Sequence, residues 1–210
     1  MDDIRKWLEN YWYHYKVETL IGIGVIIFLI VGIKGCFFDK KPDLLVTYIG
    51  QSGVDYGELE KYRQEISDVV GDINNDGKSY VEISPNVFST DLSSPRDTAE
   101  IQAAATKMIV GASRLFLIEK NLLKFYTDRG LFTPLDGIVS QDVEGAVYED
   151  GKMVLVPLAG SENVKKLGLV PDNLYAGIRV ITVYEENNKE VLHQHQGAIS
   201  LLQYLLDGVK

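Results

Sequence analysis

The apolar positions of this chain follow two alternating periods, which predict the order of its secondary structure. Leu44 to Ile49 is a continuous apolar run typical of a buried strand, and helix-spaced apolar positions follow from Leu59 to Val70. Tyr80 to Ile83 and Leu115 to Ile118 predict two more strands, separated by a helix that begins after Pro95. Strands that alternate with helices favour a mainly parallel sheet. The expected class is therefore a three-layer α/β fold with helices on both faces of the sheet.

The pattern is looser in the last third of the chain. Val147 to Val156, with Asp150 and Gly151 at its middle, predicts a β-hairpin. Ile178 to Val183 predicts a further strand, and the apolar positions from Val191 to Leu206 predict a closing helix.

The helix expected after Pro95 has one apolar face. Met108 and Ile109 both belong to the repeating apolar positions, so we expect both side chains to face the sheet. Lys107 is expected on the polar, solvent-facing side.

A long apolar run precedes this domain. Val17 to Phe38 carries no charge between Leu20 and Ile33. At about 1.5 Å per residue, a helix of this length matches the roughly 30 Å hydrocarbon core of a bilayer. We predict a transmembrane helix here, with a buried helix of a soluble domain as the alternative. The expected organisation is a short cytoplasmic or interfacial segment at residues 1–16, the transmembrane helix at 17–38, a linker at 39–42 and an extracytoplasmic domain at 43–210.

The orientation of this span follows from its place in the chain. Lys and Arg are equally frequent on its two sides, so charge gives no direction. A short segment before a span and a long domain after it is the layout of an uncleaved signal anchor. Ile33 to Cys36 half resembles a lipoprotein cleavage box, although Lys34 replaces the small residue of such boxes, and lipidation of Cys36 is the other route. Both routes predict a single-pass protein of the cell membrane with its C-terminal domain outside the cytoplasm.

Composition limits the partners. The chain has 21 Lys and Arg against 30 Asp and Glu, with a net charge of -9 and a pI near 4.9. Phosphate backbones require a basic surface, so no nucleic-acid partner is expected. The single cysteine excludes an internal disulfide.

One loop carries a candidate metal site. Asp72, Asn74 and Asp76, followed by glycine, match the first half of a calcium-binding loop, in which oxygen ligands alternate along the chain. The second half fails, because Ile83 stands where a bidentate carboxylate is needed. The alternative is a polar turn in which these side chains cap backbone amides. Calcium is the only cofactor that the sequence suggests.

Other candidate chemistry is weak. The glycine-rich loop from Gly50 to Gly57 follows a strand and could cradle an anion, or it could be a turn capped by Asp55. His193 and His195 are two residues apart, so a helix would point them in different directions. The sequence has no nucleophile elbow, phosphate-binding P-loop or zinc-protease motif. We therefore expect no catalysis and no catalytic residues.

A local motif suggests a family resemblance. Arg114 to Asp136 predicts a strand and a short helix and then reads Gly130, Leu131, two residues, Pro134, Leu135, Asp136, which resembles a stretch of extracellular solute-binding proteins. With the N-terminal span and the loop at Asp72, the chain resembles membrane-anchored proteins of Gram-positive bacteria whose outer domain is similar to one solute-binding lobe.

The resemblance implies a periplasmic-binding-protein-like lobe that acts as a membrane-anchored binding or interaction module. The alternatives are a structural accessory subunit of a membrane complex and a weak calcium-binding surface domain. The expected partners are the membrane and either another membrane protein or a small ligand.

Overall fold

The protein is described here from a computed structural model. The structure describes residues 2–38, 41–89, 94–111, 113–139 and 143–207, without the side chains of residues 2, 8 and 30–38. It consists of two compact units, residues 1–40 and 41–210. The predicted linker at residues 39–42 lies partly outside the described residues.

The order of helices and strands follows the predicted alternation closely in the first half of the domain. The elements are α1 (Asp2–Phe38), β1 (Leu44–Gly50), α2 (Tyr56–Val70), β2 (Val81–Val87), α3 (Pro95–Val110), β3 (Leu115–Glu119), a 3₁₀ helix (Lys120–Phe125), β4 (Val147–Glu149), β5 (Lys152–Pro157), α4 (Glu162–Lys166), β6 (Leu174–Ile178) and α5 (Lys189–Leu206).

The N-terminal unit is the helix α1. Its backbone leaves helical geometry at Tyr15, where φ is -120° and ψ is 16°. Between Val17 and Leu29, its large apolar side chains are 47% to 77% exposed. In the part of the chain whose side chains are described, no helix is long and apolar enough to cross a membrane. Residues 30–38 of the predicted span lie outside that part.

The sheet has six strands in the order β2-β1-β3-β6-β5-β4. β1 pairs in parallel with both β2 and β3, as the sequence predicts. The remaining pairs, β3 with β6, β6 with β5 and β5 with β4, are antiparallel. The sheet is therefore mixed, and the prediction of a mainly parallel sheet holds only for its first three strands.

Local geometry explains part of the antiparallel half. Asp150 and Gly151 connect β4 to β5 with φ values of 51° and 76°. Two successive residues with positive φ are typical of the tight turn that joins antiparallel strands. The predicted hairpin from Val147 to Val156 is confirmed.

The last strand lies earlier than predicted. β6 covers Leu174–Ile178, whereas the sequence pattern predicts a strand from Ile178 to Val183. Beyond Ile178, Arg179 forms only an isolated bridge with Phe132, and Val183 is exposed.

Two hydrophobic clusters cover the two faces of the sheet. Leu44, Val46 and Tyr48 of β1 point into the first cluster with α2, α4 and α5. Ile49 points into the second cluster with α3 and the 3₁₀ helix. Alternate side chains of one strand thus face helices on opposite sides of the sheet, so the described part of the domain is a mixed α/β fold.

The face of α3 is rotated relative to the sequence prediction. Met108 is buried as expected, but Ile109 is 67% exposed. Lys107 does not face solvent freely, because its Nζ lies 3.0 Å from Ser84 Oγ and 2.9 Å from Asn86 Oδ1. The buried residues Asp97, Ala104 and Met108 define the face that actually packs. The prediction that Ile109 faces the sheet is wrong.

Candidate functional site

The carboxyl ends of β1 and β3 are the position at which open α/β sheets usually bind ligands. β2 and β3 lie on opposite sides of β1, and the helices that follow β1 and precede β3 lie on opposite faces of the sheet, so the strand order switches between β1 and β3. Here the position is filled by the protein itself. Glu119 Oε2 accepts a hydrogen bond from the Gln51 amide at 3.0 Å, and Glu119 Oε1 accepts one from the Ser52 amide at 3.2 Å.

Tyr48 completes this cluster. Its hydroxyl donates to Glu119 Oε1 at 2.6 Å. Burial, followed by the hydrogen bond to and charge of Glu119, raises the pKa of Tyr48 above its ordinary value of 10.0, so the phenol stays protonated. The anion-binding geometry suspected for the loop from Gly50 to Gly57 is thus taken by an internal carboxylate. Asp55 is the N-cap of α2, as the alternative interpretation of that loop requires.

The candidate calcium loop forms a network of capped turns. Asp72 accepts hydrogen bonds from the amides of Asp76 (3.1 Å) and Gly77 (2.8 Å). Asn74 Oδ1 also accepts from the Asp76 amide, at 2.8 Å, and Asp76 Oδ1 accepts from the Lys78 amide, at 3.0 Å. The three predicted ligands, Asp72, Asn74 and Asp76, are brought close together, and each uses an oxygen to cap the backbone.

A buried aspartate outside the motif anchors this loop. Asp43 Oδ1 accepts from the amides of Ile73 and Asn74, and Asp43 Oδ2 accepts from the Tyr80 amide. Asp43 is only 1% exposed. Within the described ranges, no group of three His, Cys, Asp or Glu side chains is placed to hold a metal ion.

The most unusual polar cluster of the domain joins β3, β6 and the loop after β6. Arg114 Nη2 lies 2.6 Å from Glu185 Oε1, and Arg179 Nη2 lies 2.5 Å from the same oxygen. Both arginines are at most 2% exposed. Glu185 Oε2 accepts from the amide and hydroxyl of Thr182, which closes a turn at residues 182–185. We call Arg114, Arg179 and Glu185 the arginine cluster.

This cluster has more positive charge than negative. Arg114 Nε and Nη1 and Arg179 Nε are buried without a hydrogen-bond partner among the described residues. Burial opposes ionisation of Glu185, but hydrogen bonds from Arg114, Thr182 and Arg179 outweigh it and lower its pKa to about 2. Burial, followed by the charge of Arg114, lowers the pKa of Arg179.

One of the two candidate histidines lies beneath the arginine cluster. His195 is half-buried on α5, and its Nδ1 has no partner within the described structure. Burial, followed by the charges of Arg114 and Arg179, lowers its pKa below 6.5, so the imidazole is neutral near pH 7. His193 is exposed. The two histidines therefore do not form a common site, as their spacing predicts.

Four exposed apolar residues lie close along the chain to Gly111 and Glu185, which meet at the arginine cluster. Ile109 and Val110 end α3, and Val183 and Tyr184 lie in the turn that Glu185 closes. Gly111 follows α3 directly and lies against the turn at residues 182–185. It has a φ of 85°, and a Cβ at this position would lie only 2.9 Å from Glu185 Oε1. We call Ile109, Val110, Val183 and Tyr184 the apolar patch.

An open groove of about 500 Å³ lies elsewhere, at the end of α5, and its lining includes Ile138, Val139 and Tyr204. Beside it, Lys166 Nζ contacts Glu65 Oε1 at 2.5 Å and the Tyr204 hydroxyl at 3.1 Å. These contacts connect α2, α4 and α5 beside the groove, whose lining also includes the polar residues Gln203 and Asp207.

Sequence reasoning missed the arginine cluster. A signal was present, because Arg114 directly precedes an apolar strand and Arg179 interrupts an apolar run. A charge at such a position is either buried with a partner or the end of a strand. Glu185 had no comparable signal, since it lies in a polar stretch of the sequence.

Comparison with known proteins leaves the family open. The chain matches no protein-family model, no curated protein sequence and no solved structure.

Proposed function

We propose that this chain is a single-pass, membrane-anchored protein whose α/β domain lies outside the cytoplasm and acts as a binding or interaction module without catalysis of its own. The observation that carries the proposal is the apolar sequence from Val17 to Phe38, which lies within a single helix, α1. Where side chains are described, this helix has exposed apolar residues at consecutive positions from Val25 to Leu29, hence on every face. A helix that is apolar on all faces requires an apolar environment.

The interior of the domain favours contact through its surface over a ligand enclosed in a cleft. Glu119 occupies the amides of Gln51 and Ser52, where an open α/β sheet would offer an anion site. The groove beside Tyr204 is open to solvent and does not enclose a ligand. We therefore favour a partner that docks on the outside of the domain, either a second membrane protein or the membrane itself.

The resemblance to one lobe of a solute-binding protein of Gram-positive bacteria remains part of the proposal. The parallel strands β2, β1 and β3, with helices on both faces, support it. The antiparallel strands β6, β5 and β4 are its main departure. A role as a structural accessory subunit of a membrane complex is the alternative, and it uses the same anchor.

Protease treatment of intact cells tests location and orientation. Protease outside the cell should remove residues 43–210 and leave a membrane-bound fragment that contains α1. Carbonate washing should leave the full chain in the membrane. If the domain is digested only after the membrane is broken, the orientation is wrong, and if carbonate releases the chain, the anchor is wrong.

Thermal unfolding with a metabolite panel separates small-ligand binding from docking. A ligand present at 100 times its dissociation constant stabilises a protein by about 2.7 kcal/mol, which is a clear shift in melting temperature. A docking module should show no such shift with any small molecule. A reproducible shift would favour the solute-binding role instead.

A further inference from the structure

We propose that the apolar patch of Ile109, Val110, Val183 and Tyr184 binds the interfacial region of the lipid bilayer to which the domain is tethered, and that the lipids it contacts are electrically neutral. This inference rests on the membrane anchoring proposed above and adds to it the face of the domain that touches lipid.

The first argument is the concentration of exposed apolar side chains. Among the described residues of the domain, the four most exposed large apolar side chains are Tyr184 (98%), Val183 (76%), Val110 (73%) and Ile109 (67%). All four lie within two residues of Gly111 or Glu185, which approach each other at the arginine cluster. Scattered exposed apolar residues are ordinary on protein surfaces, but a group of the most exposed ones indicates a contact surface.

The second argument is the position of the patch relative to the start of the domain. The Arg114 amide donates to the carbonyl of Leu45, the second residue of β1, at 3.2 Å. The Arg179 amide donates to the Arg114 carbonyl at 2.9 Å. The arginine cluster and its patch therefore lie at the edge of the sheet where β1 begins.

The third argument is the length of the tether. The predicted span ends at Phe38 and β1 begins at Leu44, so five residues separate them. Even fully extended, the six steps from Phe38 to Leu44 reach at most about 21 Å, at roughly 3.5 Å per step. The edge at which β1 begins must stay near the membrane surface. The opposite edge is farther from the start of β1 by its seven residues, about 23 Å.

The arginine cluster gives the turn a fixed shape. A buried pair of arginines on one carboxylate is costly to desolvate and is not in itself evidence of stability. Its visible effect is to hold Thr182 and Glu185, and hence the two residues between them, at the surface of the domain. Tyr184 directly precedes Glu185, so the contacts that hold Glu185 also restrict the backbone of Tyr184.

The charges nearby favour neutral over anionic lipid. Glu186 and Glu190 are exposed close to the patch, with Lys189 as the intervening exposed cation. A tyrosine with aliphatic neighbours suits the interfacial zone of a bilayer, where an aromatic ring meets both apolar and polar surroundings. The occupant is therefore expected to be the lipid interface, bound by apolar contact and without electrostatic attraction.

Site-specific fluorescence on the full chain in phosphatidylcholine vesicles tests this. In a Cys36→Ser background, Tyr184→Cys, Val110→Cys and Tyr56→Cys each supply one site for an environment-sensitive dye. Tyr56 is the matched control, because it is an exposed tyrosine at the far end of β1. We expect a blue-shifted emission and quenching by quencher-labelled lipid at positions 110 and 184, and neither effect at 56.

Each other outcome is decisive. If carbonate releases the variants from the vesicles, the anchor fails and this inference fails with it. If the chain stays in the membrane but positions 110 and 184 behave like 56, only the inference is overturned. A blue shift without lipid quenching that grows with protein density would overturn it in favour of a second copy of the chain. Stronger quenching in vesicles with anionic lipid would contradict the neutral-surface part.

Discussion

Adjacent residues of α3 differ sharply in what they contribute to the core. Met108 is 1% exposed and Ile109 67% exposed. Met108→Ala should therefore cost about 2–5 kcal/mol of unfolding free energy, because it leaves a cavity among packed side chains. Ile109→Ala, the matched control, should change it by no more than about 0.5 kcal/mol. Chemical denaturation of the two variants gives the comparison, and equal losses would contradict the observed rotation of α3.

Sequence reasoning could find this helix but not its rotation. Met108, Ile109 and Val110 are consecutive apolar residues, so a periodic pattern fits either of two adjacent faces. In the structure, the face that packs is the one compatible with contacts between residues distant in the chain. Lys107, for example, donates hydrogen bonds to Ser84 and Asn86 of β2.

Two buried tyrosines make a second comparison at the scale of single residues. The Tyr126 hydroxyl is buried without a hydrogen-bond partner among the described residues, and burial raises the pKa of Tyr126. Tyr126→Phe should therefore be neutral or stabilising, by up to about 1 kcal/mol, because an unpaired polar group leaves the core. Tyr48→Phe should instead cost about 1–3 kcal/mol, since Glu119 loses a donor. Urea denaturation measures both, and a larger loss for Tyr126→Phe would show that its hydroxyl is paired.

At the scale of elements, the calcium loop depends on the strand that follows it. Ile83 lies in β2, is 5% exposed and points into the first hydrophobic cluster, so a carboxylate cannot be supplied from that position. Glu82 is next to it, and its side chain projects from the other side of the strand. Calorimetry with calcium should therefore show no binding tighter than about 10⁻⁵ M, the range of loops with a complete ligand set. A tighter site that is lost in Asp72→Asn would contradict this.

The arginine cluster and α5 predict how stability depends on pH. The pKa of His195 is lowered in the folded protein, so below about pH 6.5 the unfolded state binds a proton that the folded state does not. Stability should fall as the pH drops through this range. The pKa of Glu185 is also lowered, from 4.5 to about 2. As the pH falls through this range, protonation of Glu185 should reduce the unfolding free energy by up to about 3 kcal/mol more.

Denaturation at pH 7.5, 5.5 and 3.5 tests this dependence. His195→Gln should flatten the loss between pH 7.5 and 5.5, while His193→Gln, a change at an exposed position of the same helix, should not. A profile that is the same in both variants would mean that His195 is not held neutral by its surroundings.

Strand order shows where element-level prediction ends. Hydrophobic runs located β1, β3 and α5 to within about one or two residues, and a turn sequence located the β4–β5 hairpin. β6 was displaced because residues 174–183 are apolar nearly throughout and either half could form the strand. Its antiparallel place between β3 and β5 depends on pairing with residues distant in the chain, which local periodicity does not encode.

At the scale of the whole molecule, the two units differ in what holds them together. Every member of the two buried clusters lies between Leu44 and Leu205, within the second unit. The sequence predicts a division near this point, because the absence of charge from Leu20 to Ile33 contrasts with the alternating pattern beyond Leu44. The candidate sites were harder to predict, since the arginine cluster joins residues 114, 179 and 185 only after folding.

The same division predicts that residues 41–210 fold without α1. Deletion of residues 1–40 removes no member of either cluster, so the melting temperature of the domain should be close to that of the domain in the full chain. The matched control instead deletes the C-terminal helix. A chain that stops at Asn188 lacks α5, and its core therefore lacks Ala198, Leu201, Leu202 and Leu205. Three of these residues are leucines, and the loss of a buried leucine side chain costs about 2–5 kcal/mol, so together they account for roughly 6–15 kcal/mol. This is as large as a typical total stability of about 5–15 kcal/mol, so the control should not fold. Circular dichroism melts of the two fragments decide the matter. If the fragment 41–210 melts without cooperativity, α1 contributes to the fold of the domain, and the separation into an anchor and an independent interaction module is wrong.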